Sequence, residues 1–188
     1  MKQGSKQLGK AFLGLALGLV WLIPFYLMVT NSFKTKQEIF TNPLKFPEAF
    51  TFENYPEAFR QLDFIRTLAN SLLITVSSVI VIVIFSAMAA YALERIKSKF
   101  STITFMVFVA AMLVPFQSVM IPLVALFGKA QMLNQIGIIF MYLGFGGSMS
   151  IFLYHGAMKS IPRALDEAAI IDGASRWQVF WKVIFPML

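Results

Sequence analysis

The sequence predicts an all-α fold, a polytopic membrane helical bundle, and three observations carry that prediction. Charged residues make up 13% of the 188 positions, while the apolar set AVILMFWYC makes up 58%. A soluble domain has roughly a quarter of its residues charged. The 20 Phe and 11 Met add bulk without polarity. Four runs carry no Asp, Glu, Lys or Arg: Ala11–Phe33, Thr67–Leu93, Phe100–Gly128 and Ala130–Met158. A membrane crossing takes about 20 mostly apolar residues, and backbone amides in hydrocarbon must be paired within their own segment. Runs of this length without a polar stripe therefore read as four transmembrane helices, over about 11–33, 67–93, 101–127 and 136–158.

Composition also excludes several classes. With no cysteine there is neither a disulfide-stapled module nor a cysteine-built zinc site. The net charge of +7 does not point to nucleic acid, because Lys and Arg lie at the ends of the apolar runs and do not cluster on a soluble face. Membrane lipid is the expected surrounding.

Lys2, Lys6 and Lys10 precede the first run, as in a secretory signal. The run is too long for one and lacks a small-x-small cleavage site, so it is expected to stay as the first helix. Orientation follows from the basic residues, which are retained on the cytoplasmic side. Three Lys precede span one, Arg95, Lys97 and Lys99 lie between spans two and three, and Lys159, Arg163, Arg176 and Lys182 follow span four. The segment 34–66 instead balances five basic with five acidic residues. The N-terminus, the 94–99 connector and the segment 159–188 are thus expected in the cytoplasm, with 34–66 outside and the whole chain, 1–188, one transmembrane domain. Pro43, Pro47, Pro56 and the aromatics of the outer segment suggest a compact cap with a short helix near Glu53–Leu62.

Inside the spans, polar groups are few. Asn70 opens span two and is expected to hydrogen-bond across helices near the outer face. In span three, Pro115 and Pro122 flank Gln117 and Ser118, and proline kinks a helix. This patch lines a pathway, or Gln117 bonds to a neighbouring helix; both readings stay open. Gly144, Gly146, Gly147, Ser148 and Ser150 suit close helix contact in span four. They have no basic residue after them and no strand before them, so they are not a phosphate loop. His155 receives no role. There is no carboxylate pair in the spans, no metal-ligand cluster and no Ser–His–Asp set, so the chain is not expected to be an enzyme or to hold a metal or cofactor. No ionisable residue sits mid-membrane to couple an ion gradient either, which directs attention to the cytoplasmic end.

That end reads KSIPRALDEAAIIDGASRWQVFWKVIFPML. Ser160 can cap a helix, with Pro162 in its first turn. Asp166 and Glu167 suit the helix dipole. Helical spacing groups Leu165, Ala168, Ala169 and Asp172 on one face, kept low by the alanines. Asp172-Gly173 is a stop signal, and Ser175-Arg176-Trp177-Gln178 fits a capping box opening a second, interfacial helix striped by Trp177, Phe180, Trp181 and Ile184.

Glu167-Ala168-Ala169, Asp172-Gly173-Ala174-Ser175 and Ile184-Phe185-Pro186 resemble the EAA loop of ABC-importer permeases. Glu38-Ile39-Phe40, Asn54-Tyr55, Asn70-Ser71, Ala89–Leu93 and Ile121–Leu123 are similar to the maltose-type carbohydrate branch, specifically the smaller partner of its heterodimer. The resemblance covers nearly the whole chain. It implies an ABC type I importer permease fold, part of a sugar translocation pathway, and a cytoplasmic ABC ATP-binding subunit that holds the ATP. It further implies a second homologous permease subunit, an extracytoplasmic sugar-binding protein and a place in the cell membrane. Glu167, Ala168, Ala169, Asp172 and Gly173 would couple to the ATPase, with Gln117, Ser118 and Asn70 as pathway-lining candidates. Two departures stand out. Ala164 replaces a residue that is often acidic, and such permeases run on for two more helices where this sequence stops at Leu188, which suggests a truncated frame or a fragment. A non-transporting structural or regulatory subunit, or a truncated non-functional permease fragment, is the alternative.

Overall fold

The computed structural model describes residues 2–188. The side chains of Lys2 and Lys6, counted above towards orientation, lie outside the described residues. Nine α-helices follow one another, with no strand among the described residues: α1 (Lys2–Ser32), α2 (Lys36–Thr41), α3 (Asn54–Gln61), α4 (Phe64–Arg95), α5 (Lys99–Ala111), α6 (Phe116–Lys129), α7 (Gln135–Met158), α8 (Ala164–Ile171) and α9 (Arg176–Gln178). A π-helical turn, Val179–Ile184, and a 3-10 turn, Phe185–Met187, close the chain. Three helices are long and apolar enough to cross a membrane, Gly9–Ser32, Phe64–Arg95 and Gln135–Met158, or four crossings if the bent pair α5–α6 counts as one. The chain divides into two compact units, residues 1–68 and 69–188.

In the first unit, the segment after α1 folds on itself. Thr35 caps α2, its hydroxyl accepting from the Glu38 N–H, and Glu38 in turn accepts from the Glu48 N–H at 2.9 Å. Asn54 donates to the carbonyls of Ser32 and Lys34, at 2.9 and 2.7 Å. Around Phe33 stand Phe50, Phe52 and Tyr55, with ring centroids 5.5–5.7 Å away. Lys34 is fully buried and donates to Asn31 Oδ1, Asn42 O and Pro43 O at 2.9, 2.9 and 3.2 Å. All three acceptors are neutral. The Thr35-x-x-Glu38 pair, a capping-box spacing, is a signal for α2 that the sequence carried unused.

The second unit holds the rest. Small residues of α4, Ser86, Ala87 and Ala90, are buried. Ser86 Oγ donates to the Gly147 carbonyl at 3.4 Å, and a Cβ on Gly146 would stand 2.8 Å from Ile82 Cδ1. Gly146 and Gly147 therefore let α7 approach α4 at this point. Gly137 is required by a different contact: a Cβ there would stand 1.7 Å from the Met132 carbonyl oxygen, in the turn that Asn134 caps.

The third uncharged run, expected as one kinked span over about 101–127, is two helices, α5 and α6, meeting at 100°. The physical reason sits at Pro115. The residue before a proline is pushed out of the helical region, and proline lacks the N–H to continue the ladder. The last turn of α5 tightens through bonds from Leu113 N–H to Ala110 O and from Val114 N–H to Ala111 O, and Pro115 then caps α6 in an extended conformation. Pro122 remains inside α6.

Candidate functional site

The segment after α7 is built from short-range caps and one long-range anchor. Ser160 does not cap α8; its hydroxyl donates to the Ala157 carbonyl at 2.7 Å and finishes α7. α8 starts from Arg163 with no side-chain cap, and Asp166 and Glu167 in its first turn face the positive end of the helix dipole. At its far end the Ala174 N–H donates to Ala169 O at 2.9 Å and the Gly173 N–H to Ile170 O at 3.0 Å. This is a Schellman ending, which places one residue in the left-handed region. Gly173 takes it, with φ +88°. A Cβ on Gly173 would meet nothing within 4 Å, so the demand for glycine is conformational and not steric. Ser175 and Gln178 then form a reciprocal capping box on α9.

The anchor ties α8 to the end of α4. Arg95 Nη2 lies 2.8 Å from Asp166 Oδ2, and the two side chains are 12% and 11% exposed. Arg95 Nε donates to Asp166 Oδ1 at 3.2 Å, and Tyr91 donates its phenolic hydrogen to the same oxygen at 3.0 Å. The Arg95 guanidinium also donates to the Ile161 carbonyl at 3.3 Å. In the other direction, Arg163 donates to the carbonyl of Glu94 at 2.7 Å. That carbonyl is among the last four of α4, which have no partner within the helix. Beneath lies an apolar cluster of Met158, Ile161, Val179 and Ile184, with Tyr91, Ala169 and Ala174 packed against it. Tyr91 and Phe180 rings stand 5.3 Å apart.

The predicted coupling residues separate into two sides. Glu167 and Ala168 are exposed on the outer face of α8, and Ile171 beside them is 84% exposed. Ala169 instead turns inward onto the cluster, because α8 must bury the side that carries Asp166. Of the low face expected from Leu165, Ala168, Ala169 and Asp172, only Ala169 turns inward; the other three are exposed, beside Glu167 and Ile171. Asp172 and Gly173 are exposed at the turn. The interfacial helix expected from Ser175 onwards keeps α form only over Arg176–Gln178 and widens into the π turn, which buries Val179, Phe180 and Ile184.

The pathway-lining candidates lie on two different helices. Gln117 and Ser118 are exposed on α6. Asn70, on α4, accepts a hydrogen bond from Gln135 Nε2 at 3.1 Å, at the start of α7. A cavity of about 480 Å³ opens where α5 breaks, lined by Met112, Val114, Leu123, Gly144, Phe145 and Ser148, and none of the three candidates lines it. His155 lies 3.5 Å from Glu94. No group of three or more His, Cys, Asp or Glu that could hold a metal occurs among the described residues.

Nothing local in the sequence marks Tyr91, Arg95 and Asp166 as a set. Arg95 counted there only as a topological charge, and Asp166 only as a dipole partner. The available signal was an acid directly before Glu167, together with an arginine closing a span with no acid at helical spacing to pair it.

The family described as binding-protein-dependent transport system inner membrane component matches residues 82–188, from the middle of α4 through the anchored loop. The chain belongs to this family. As an inner membrane component with several apolar helices, it is a multi-pass protein of the cell membrane. This component is 54% identical, over 94% of its length, to a probable starch degradation products transport system permease protein of Thermoanaerobacterium thermosulfurigenes. It is 37% identical, over 91%, to a multiple sugar-binding transport system permease protein of Streptococcus mutans. A third relative, a melibiose/raffinose/stachyose import permease protein of Bacillus subtilis, is 34% identical over 88%. The component spans 65%, 62% and 60% of the lengths of those three relatives.

Proposed function

We propose that this chain is the membrane-spanning permease subunit of an ATP-driven carbohydrate importer, and that α8 is its coupling element. The observation that carries the coupling role is the two-sidedness of α8. Its outer face, with Glu167, Ala168 and Ile171, is free, while its inner face is fixed to another membrane helix by the buried Arg95–Asp166 pair. A helix held this way cannot tilt without moving the end of α4. A cytoplasmic ABC ATP-binding subunit that gripped the outer face would therefore move the span and not merely the loop. Ala168 permits close approach, Glu167 offers a carboxylate to a basic group of that subunit, and Gly173 and Asp172 keep the loop rigid at its turn.

ATP is bound by that partner subunit, and this chain needs no cofactor of its own. A second, homologous permease subunit completes the pathway, and an extracytoplasmic sugar-binding protein delivers the solute. Gln117, Ser118 and Asn70 are the polar groups offered to the path. The names of the relatives support carbohydrate as the solute class and speak against a non-transporting regulatory subunit.

The test is reconstitution of the assembled transporter. An ATPase should copurify with this chain, and its turnover should rise when the loaded sugar-binding protein is added outside. Copurification without an ATPase, or turnover indifferent to loaded binding protein, contradicts the reading.

A further inference from the structure

Beside the Arg95–Asp166 anchor, but separate from it, a cavity of about 620 Å³ opens between the end of α4, the start of α5 and the end of α7. Its rim carries Lys97, Lys99 and Lys159. None of these lysines pairs with a carboxylate among the described residues. Ser98 and Thr102 add hydroxyls. The one acid in the lining, Glu94, stands 3.5 Å from His155. Lys99, Ser101 and Thr102 of the first turn of α5 also line the cavity, with the Ser101 N–H capped by Ser98 Oγ at 3.1 Å. Three lysines against one carboxylate suit a phosphodiester.

A second observation says what the phosphate is attached to. The cavity continues, through the shared Phe105, His155 and Lys159, into an apolar groove of about 280 Å³ between α5 and α7, lined also by Phe152, Leu153 and Gly156. Phe105 lies six residues into α5 from Lys99, and Phe152 seven residues back along α7 from Lys159. At 1.5 Å per residue Phe105 and Phe152, at the inner end of the groove, lie about 9–11 Å along the helices from the lysines. A polar mouth at the level of the helix ends with an apolar channel running inward has the polarity of a phospholipid, and a free phosphate has no use for the groove.

We propose that this groove binds one anionic phospholipid, its phosphate held by Lys97, Lys99 and Lys159 and one acyl chain laid along Phe105, Phe152 and Gly156. The assignment is independent of the transport reading. It is tested on the purified protein in neutral detergent, by native mass spectrometry with phosphatidylglycerol, phosphatidylcholine and inorganic phosphate as probes. Phosphatidylglycerol should be retained over phosphatidylcholine. Lys99→Gln and Lys159→Gln should each weaken it about fivefold, the worth of one lysine at an anionic surface, while Lys129→Gln, at the end of α6, should leave it unchanged. Gly156→Leu, where an added Cβ meets nothing within 4 Å, should fill the groove and weaken phosphatidylglycerol without unfolding the helix. Equal retention of the two lipids, displacement of phosphatidylglycerol by equimolar inorganic phosphate, or full binding by Gly156→Leu would overturn the proposal.

Discussion

The cap between α1 and α4 and the loop after α7 are segments of similar size, and each buries one basic side chain, but they are held in opposite ways. In the cap, Lys34 donates to three neutral oxygens no more than nine residues away, and the whole segment is tied to the helix it follows. In the loop, Asp166 meets Arg95 of α4, 71 residues away, and so joins the segment to a different helix. Neutral acceptors close to home keep a shape. A buried ion pair across the chain makes two elements move as one, because separating the charges strands both in a low-dielectric site. Under the proposed coupling role, the cap is the segment that holds and the loop the one that transmits.

Breaking the long-range tie should have the largest effect. Removing one member of a buried pair costs about 3–5 kcal/mol, so Asp166→Ala should lower the thermal midpoint of the purified protein strongly and expose the 159–188 segment to protease. Replacing both partners, Arg95→Met with Asp166→Leu, should restore most of that stability yet leave sugar-stimulated ATPase activity low. Recovery of both together would mean that the pair serves stability alone.

A smaller effect is expected in the cap. Lys34→Met leaves three oxygens without their donor, at about 1–3 kcal/mol for a buried group left unsatisfied. Protease cleavage should then rise between Lys36 and Asp63, with the loop around α8 protected as before. Equal cleavage of both segments would erase the contrast. Next in size, Gly173→Ala must hold φ near +88°, at roughly 1–2 kcal/mol; hydrogen exchange should quicken at Ala174 and Ser175 while α4 is unaffected. The mildest change is Ser175→Ala, which removes one half of the capping box for about 1 kcal/mol and should be visible only as local exchange over α9.

What the sequence made legible follows the same division. The apolar runs, the short helix near Glu53–Leu62 (Asn54–Gln61 in the structure), the Asp172-Gly173 stop and the Ser175 box are local signals, and each appears in the structure. The Arg95–Asp166 tie was hidden because nothing in either residue's neighbourhood specifies a partner so far along the chain. The inward turn of Ala169 was hidden for the same reason: once Asp166 is drawn to α4, the face of α8 is decided by tertiary contact and not by the spacing of small residues. Ser160 was misread because a hydroxyl between two helices can bond backwards as readily as forwards. The break at Pro115 was half legible, since proline announces a disturbance but not its angle.

The most direct test asks which side of α8 is gripped. In the assembled transporter, single cysteines at Ala168, Ile171 and Ala169 would be offered to a short thiol cross-linker. The outer-face positions, Ala168→Cys and Ile171→Cys, should join the ATPase subunit, and Ala169→Cys, turned towards the apolar cluster, should not. Cross-links from Ala169 alone, or from none of the three, would contradict the account.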